Sequence, residues 1–320
     1  VILTYLPKID TFSKQINQLR SINLFMEPVP FDKRSGKIWF NGQPVNWSDV
    51  KIHVLSHGLH YASCVFEGER VYDGEIFKLE EHTERLFHSA SRMGFKIPYS
   101  QEDLNSSCKD IVAIQKVKNG YVRPVAWRGS EMMAISAQKT KIHVAIAAWD
   151  WGSYFDPNLK LKGIKLDISK WRRPAPDTIP WDTKASGLYM ICTLSKHEAE
   201  RQGYSESLML DHEDNVAEST SANIFFKDKK GELHTPIPDS FLNGITRQTV
   251  IELAKSKNIK VHERKIKPDE LSSFEGCFLT GTAAEITPIS QIAENNYKVC
   301  DVILDLLDSY GKLVRKKKAA

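Results

Sequence analysis

Three histidines, His53, His57 and His60, fall at i, i+4 and i+7 in His-Val-Leu-Ser-His-Gly-Leu-His. On a helix this spacing would put three imidazoles on one face as a metal site. The segment has no glutamate to act as a zinc-peptidase base, and Gly58 weakens a helix there. Histidines held in a polar hydrogen-bond network are the other reading. Ser136-Ala137-Gln138-Lys139 has the Ser-x-x-Lys spacing of penicillin-binding enzymes, but only Lys139-Thr140-Lys141 stands where a Lys-Thr-Gly strand is needed, so chance accounts for it. The chain has no G-x-G-x-x-G, no P-loop and no G-x-S-x-G, which removes the simplest nucleotide-binding and hydrolase readings. A dispersed set remains. Lys184 lies in a loop before a helix, among apolar and small residues, where partial desolvation would make its amine a nucleophile for a Schiff base. Gly244-Ile245-Thr246-Arg247 opens a helix and Gly281-Thr282-Ala283 follows a strand. Each offers free backbone N–H groups and a threonine hydroxyl, as phosphate binding requires, although simple helix capping would explain the same residues.

Gly281-Thr282-Ala283-Ala284-Glu285-Ile286-Thr287-Pro288 resembles the signature of the branched-chain amino-acid aminotransferases, fold-type-IV pyridoxal-phosphate enzymes. The resemblance takes in His57-Gly58-Leu59-His60-Tyr61, Val65-Phe66-Glu67-Gly68-Glu69-Arg70, Glu81-His82-Thr83-Glu84-Arg85-Leu86, Tyr121-Val122-Arg123-Pro124 and Gly244-Ile245-Thr246-Arg247, in the family's order from about Lys37 to Ile289. It implies pyridoxal 5'-phosphate as cofactor, with Lys184 as the Schiff-base lysine and Glu218 as the carboxylate facing the pyridine nitrogen. Arg85, Ile245, Thr246 and Thr282 would cradle the phosphate, Tyr189 would bond the phenolic oxygen, and Leu242 would pack on the ring. Phe66, Tyr121, Arg123, Trp151, Tyr154, Thr282 and Ala283 would form the substrate pocket, with Tyr61 contributed by a neighbouring subunit. The implied reaction is ping-pong transamination between leucine, isoleucine or valine and 2-oxoglutarate, in a homodimer or dimer-based homo-oligomer. A D-amino-acid or R-amine transaminase on the same scaffold is the nearest alternative; a non-catalytic metal-binding protein using the three histidines is a more remote one. Ser219-Thr220-Ser221 stands where many relatives carry glycines, and Trp181-Asp182 replaces small residues before the lysine, so substrate range is where this chain departs from the pattern.

These residues need elements to hold them. Alternation and turn residues predict a hairpin about Asn41-Gly42 and a second strand pair from Val65 to Tyr72, turning at Asp73-Gly74 into Ile76-Phe77. Helical spacing marks Leu79 to Met93, ended by Gly94, then 101–118, 187–202, 246–257 and 302–310. Strands are expected at 121–127, 141–149, 164–169, 207–210, 216–218, 223–227, 233–235, 259–263 and 277–280. Because strands and helices mix without strict alternation, the fold is read as α+β. The resemblance adds a fold-type-IV architecture with a smaller N-terminal domain (37–152), an interdomain loop (153–159) and a larger domain (160–314) around a β-barrel-like sheet. Residues 1–36 read as an extension, of which 1–25 precede Met26 and are expected to be dispensable, and 315–320 as a basic tail.

With 320 residues, 41% of them hydrophobic and 10% aromatic, the chain can bury sizeable cores, and disorder is excluded. The formal charge of +4 gathers at the ends, in Lys8, Lys14 and Arg20 and in Arg315-Lys316-Lys317-Lys318. The body between them is slightly acidic, which leaves no footprint for nucleic acid. No apolar run approaches the ~20 residues of a membrane span. Five scattered cysteines with no C-x-x-C pair suit the cytoplasm.

Overall fold

The computed structural model describes residues 29–155 and 162–315. The expected extension 1–25, most of the expected interdomain loop and the tail beyond Arg315 lie outside the described residues. The chain divides into two compact units between Ser35 and Gly36. The described part of the first holds a single 3-10 turn, Phe31–Lys33, with the Arg34 guanidinium 4.1 Å over the Phe31 ring.

The second unit begins with hairpin β1 (Lys37–Phe40) and β2 (Gln43–Asn46). Asn41 and Gly42 both take positive φ, as a tight turn between right-twisted strands requires. The short helix α1 (His57–Tyr61) leads to β3 (Cys64–Phe66), β4 (Glu69–Tyr72) and β5 (Glu75–Ile76). Thus the stretch from Val65 to Tyr72 is two strands broken at Glu67-Gly68, and β3 pairs with β6 (Gly120–Arg128) instead of continuing into the hairpin. Helix α2 (Leu79–Arg92) turns Leu79, His82, Thr83, Leu86 and Ala90 inward, and Gly94 at positive φ ends it. Helix α3 (Gln101–Ile114) starts at a Ser100–Asp103 capping box. It stops four residues short of the expected end, and Lys116 follows in the left-handed region. With β7 (Ile142–Asp150) the first sheet has seven strands in the order β2-β1-β7-β6-β4-β5, with β3 beside β6.

The second sheet has nine strands. Its members are β8 (Ile164–Arg172), β9 (Glu206–Leu210), β10 (Val216–Ser219), β11 (Asn223–Lys227), β12 (Leu233–Thr235), β13 (Val261–Glu263), β14 (Gly276–Gly281), β15 (Glu285–Ile292) and β16 (Asn295–Asn296). They run β10-β9-β8-β15-β14-β11-β12-β13, with β16 beside β15. Helices α4 (Met190–Arg201), α5 (Ile245–Ser256) and α6 (Asp301–Leu313) complete the unit. One apolar cluster fills the first sheet and its helices. Two more lie on the second sheet, one of them centred on Phe225, Phe278, Val250 and Leu306.

Strand β15 is absent from the sequence reading, and it is central. Pro288 breaks the usual strand pattern because it cannot donate to a ladder. Here it faces Phe278 of β14, and pairing with β8 on the other side begins only at Ile289.

Candidate active site

Lys184 sits where helix α2 and strand β3 converge. Its backbone N–H donates to Ser89 Oγ of α2 at 3.0 Å, its carbonyl accepts from the Phe66 N–H at 3.1 Å, and Ala185 bridges to Val65 of β3. The preceding loop is fastened to α2 through Asp182, which accepts from His88 at 2.9 Å and from Arg92 at 3.1 Å. Asp182 therefore serves the loop's position. Pinned this way, the lysine Nζ donates to Tyr189 Oη at 2.8 Å and lies 5.2 Å from the centre of the Phe66 ring.

A cavity opens around this amine. On its far side stands Glu218, aimed by a bulge in β10 that shifts the pairing register between Val216 and Glu218. Its Oε2 accepts from Asn223 Nδ2 at 3.0 Å and its Oε1 lies 3.6 Å from Arg173 Nε. Burial pushes the Glu218 carboxyl up to about 7, against the opposing pull of Arg173 and Lys184. Arg173 Nε is itself buried without a hydrogen-bond partner. Asn223 also receives the Gly244 N–H on Oδ1 at 3.0 Å and donates to the Leu242 carbonyl at 3.0 Å, so one side chain ties Glu218 to the start of α5. Gly244 is needed there, because a Cβ would come within 2.2 Å of Asn223 Oδ1.

The cationic end of the cavity is built by α2 and α5. Arg85 gives Nε and Nη2 to Glu67 at 2.6 and 2.9 Å, and His82 Nδ1 shares Glu67 Oε2 at 2.7 Å. Burial would raise the Glu67 carboxyl, but Arg85 and His82 overcome it and hold it well below the usual carboxylate range. Burial likewise keeps His82 below its ordinary value. The ion pair fixes the guanidinium in place and leaves Nη1 for the cavity. Opposite it, Ile245 and Thr246 present the first turn of α5, and Gly281 and Thr282 the turn between β14 and β15.

Of the residues expected in the substrate pocket, Thr282 lines this cavity. Phe66, Tyr121, Arg123, Trp151 and Tyr154 instead form a continuous wall leading away from the lysine. The Arg123 guanidinium lies 4.7 Å from the Phe66 ring and 5.4 Å from Tyr121, Tyr121 meets Trp151 edge-on at 4.8 Å, and Trp151 meets Tyr154 at 5.8 Å. Ala283 follows Thr282 in the β14–β15 turn. Tyr61 is apart from all of them, 40% exposed on α1 with its ring tilted against His57 at 4.6 Å. The three histidines do not converge. His53 accepts from the Leu55 N–H, His57 meets the Ala134 carbonyl and His60 the Val54 carbonyl, and among the described residues no group of three potential metal ligands occurs. Arg173, Asn223, Glu67 and His82 belong to the site without being named by sequence reasoning. Only the clustering of Glu67, His82 and Arg85 in the family-like motifs points toward any of them.

Residues 64–292 match the family model Amino-transferase class IV. The chain belongs to this family. A probable branched-chain-amino-acid aminotransferase of Rickettsia felis is 42% identical over 284 residues, covering 87% of this chain and 96% of that protein. The crystal structure of the Escherichia coli branched-chain amino acid aminotransferase superposes with a TM-score of 0.85 at 35% identity, over 88% of this chain and 95% of that one. The branched-chain amino acid aminotransferase from Thermobaculum terrenum, solved in its PLP-bound holo form, superposes at 0.80 and 27% identity, over 88% and 95%. Within the class IV aminotransferases, this chain thus groups with the branched-chain enzymes.

Proposed function

We propose that the protein uses pyridoxal 5'-phosphate to exchange amino groups between leucine, isoleucine or valine and 2-oxoglutarate, with the two half-reactions alternating in one site. The observation that carries this reading is the placement of Lys184 Nζ and Glu218 at one cavity whose other end holds Arg85 and the first turn of α5. The donor set fits the cofactor: Arg85, the Ile245 and Thr246 N–H groups and Thr282 would hold its phosphate, and the carboxyl of Glu218 would serve its pyridine nitrogen. When bound, pyridoxal phosphate supplies an aldehyde for amine condensation and a ring that accepts the electron pair freed at the substrate α-carbon.

The chain's own groups do the rest. Lys184 Nζ would hold the cofactor and would serve as the group that moves the substrate's α-proton. Tyr189 Oη, 2.8 Å from that nitrogen, keeps it aimed into the cavity. Glu218 accepts or yields a proton near neutrality, and Asn223 and Arg173 fix its carboxyl plane. Phe66, Tyr121, Trp151 and Tyr154 offer an apolar surface to branched side chains, and Arg123 the cation for the distal carboxylate of glutamate. We read the first sheet and its helices as the smaller domain and the second sheet as the larger.

A homodimer completes the reading. Leu59 at 61%, Tyr61 and Ile135 at 83% exposure lie on segments joined by the His57–Ala134 hydrogen bond, an apolar patch suited to a second copy that would bring Tyr61 to its neighbour's pocket. The five cysteines, all free in the structure, suit a reducing compartment such as the cytoplasm, and no helix among the described residues is long and apolar enough to cross a membrane. The test is glutamate formation from 2-oxoglutarate with L-leucine, with D-alanine in parallel. Leucine-dependent glutamate that disappears in Lys184→Ala supports the reading; turnover of D-alanine alone, or an active Lys184→Ala protein, overturns it.

A further inference from the structure

Behind the cavity wall formed by Thr220 and Ser221 lies a carboxylate with no part in the chemistry above. Glu206 opens β9 and is fully buried. Its Oε1 accepts from the Ser207 N–H at 3.1 Å and from the Thr220 hydroxyl, and its Oε2 accepts from the Ser221 hydroxyl at 3.2 Å. Lys196 of α4 brings its ammonium to 3.7 Å from Oε2. Tyr154, the outer end of the aromatic wall, is hydrogen-bonded to the Ser221 side chain. Two hydroxyls that belong to the cavity lining are thus committed to a buried charge outside it.

We propose that Glu206 is a positioning residue that sets substrate selection, a reading that rests on the branched-chain transamination proposed above. A buried carboxylate needs its donors, and hydrogen bonds to a charged acceptor are about twice as strong as neutral ones. The Thr220 and Ser221 O–H groups are therefore held away from the cavity, which leaves a methyl group, methylene and backbone to face the substrate. Through Ser221 the same carboxylate anchors Tyr154 and the aromatic wall that continues to Trp151 and Tyr121. An apolar side chain such as leucine's then meets no unpaired hydroxyl. A polar isostere finds no partner.

Glu206→Gln keeps the shape but presents N–H donors where the carboxylate accepts, so one hydroxyl must turn toward the cavity. The measurement is kcat and KM for L-leucine and for L-asparagine, its polar isostere, with 2-oxoglutarate as acceptor. The leucine-to-asparagine ratio of kcat/KM should fall about tenfold in the holoenzyme variant, the value of one hydrogen bond, through leucine KM with kcat within about twofold. Adding Thr220→Val and Ser221→Ala to Glu206→Gln should restore the ratio, because the hydroxyls it releases are gone. If Glu206→Gln does not fold, Glu206→Asp, which withdraws the carboxylate by one methylene, should show the same loss. An unchanged ratio in both variants, failure of both to fold, or a triple variant that stays relaxed makes Glu206 a structural residue only and overturns the proposal. Wild-type protein that does not turn over leucine refutes the underlying reading instead.

Discussion

Replacing Glu218 by glutamine separates what this carboxylate does to the fold from what it does for the chemistry. Burial raises it from an ordinary 4.5 to about 7 in the ligand-free site. A group whose folded value lies above its unfolded one holds its proton longer when folded. Its contribution is therefore full below pH 4.5, falls as the unfolded chain ionises, and is lost above about pH 7. The gap from 4.5 to about 7 corresponds to about 3 kcal/mol. Glutamine carries no such proton. Urea unfolding of the ligand-free proteins should show Glu218→Gln gaining about 3 kcal/mol on wild type between pH 4.5 and pH 8, whatever the offset at pH 4.5. Leucine turnover moves the other way, falling by roughly 10²–10³, because glutamine offers no charge to keep the pyridine nitrogen protonated. A stability difference that is flat with pH would refute the burial argument, and full activity would refute the placement of the ring nitrogen.

Other substitutions probe the parts around it. Alanine at Gly68 would place a Cβ 1.9 Å from Tyr121 Oη, so Gly68→Ala should displace the aromatic wall and raise leucine KM several-fold, read from steady-state kinetics. Glu67→Gln leaves Arg85 buried beside a neutral group and should cost about 3–5 kcal/mol by urea unfolding at pH 7. Because Glu67 is held below its ordinary value, its stabilisation is present at neutral pH and fades as pH falls below about 4.5, so variant and wild type should converge in acid. Leu59→Glu, on the exposed apolar patch, should leave a monomer in sedimentation experiments where wild type forms the proposed dimer, and should lower activity if Tyr61 serves a neighbour's pocket as proposed.

Local signals carried most of the elements. The hairpin turns at Asn41-Gly42 and Asp73-Gly74, the amphipathic α2 and strands β11 and β12 follow from patterns within a few residues. Strand β15 escaped because Pro288 contradicts a strand unless the partner on one side is known to start at Ile289, which is tertiary information. The site divides the same way. Lys184, Glu218, Arg85 and Thr246 stand in contiguous motifs that resemble a family and could be named. Arg173 and Asn223 act across the sheet, on Glu218 from β8's end and on the start of α5 from β11, and nothing in Trp171-Arg172-Arg173-Pro174 announces such a partner. The three histidines follow the hydrogen-bonded reading and not the metal one. Their spacing suggests a metal face, but only His57–Tyr61 is helical, and each ring is taken by main chain.

The central claim is that Lys184 Nζ is the nitrogen that holds the cofactor and meets the substrate. Borohydride reduction of the holoenzyme followed by peptide mass mapping tests it most directly. One phosphopyridoxyl group per chain is expected on the peptide containing Lys184, with labelling prevented by prior incubation with L-leucine. A label on any other lysine, or one that leucine does not suppress, would contradict it.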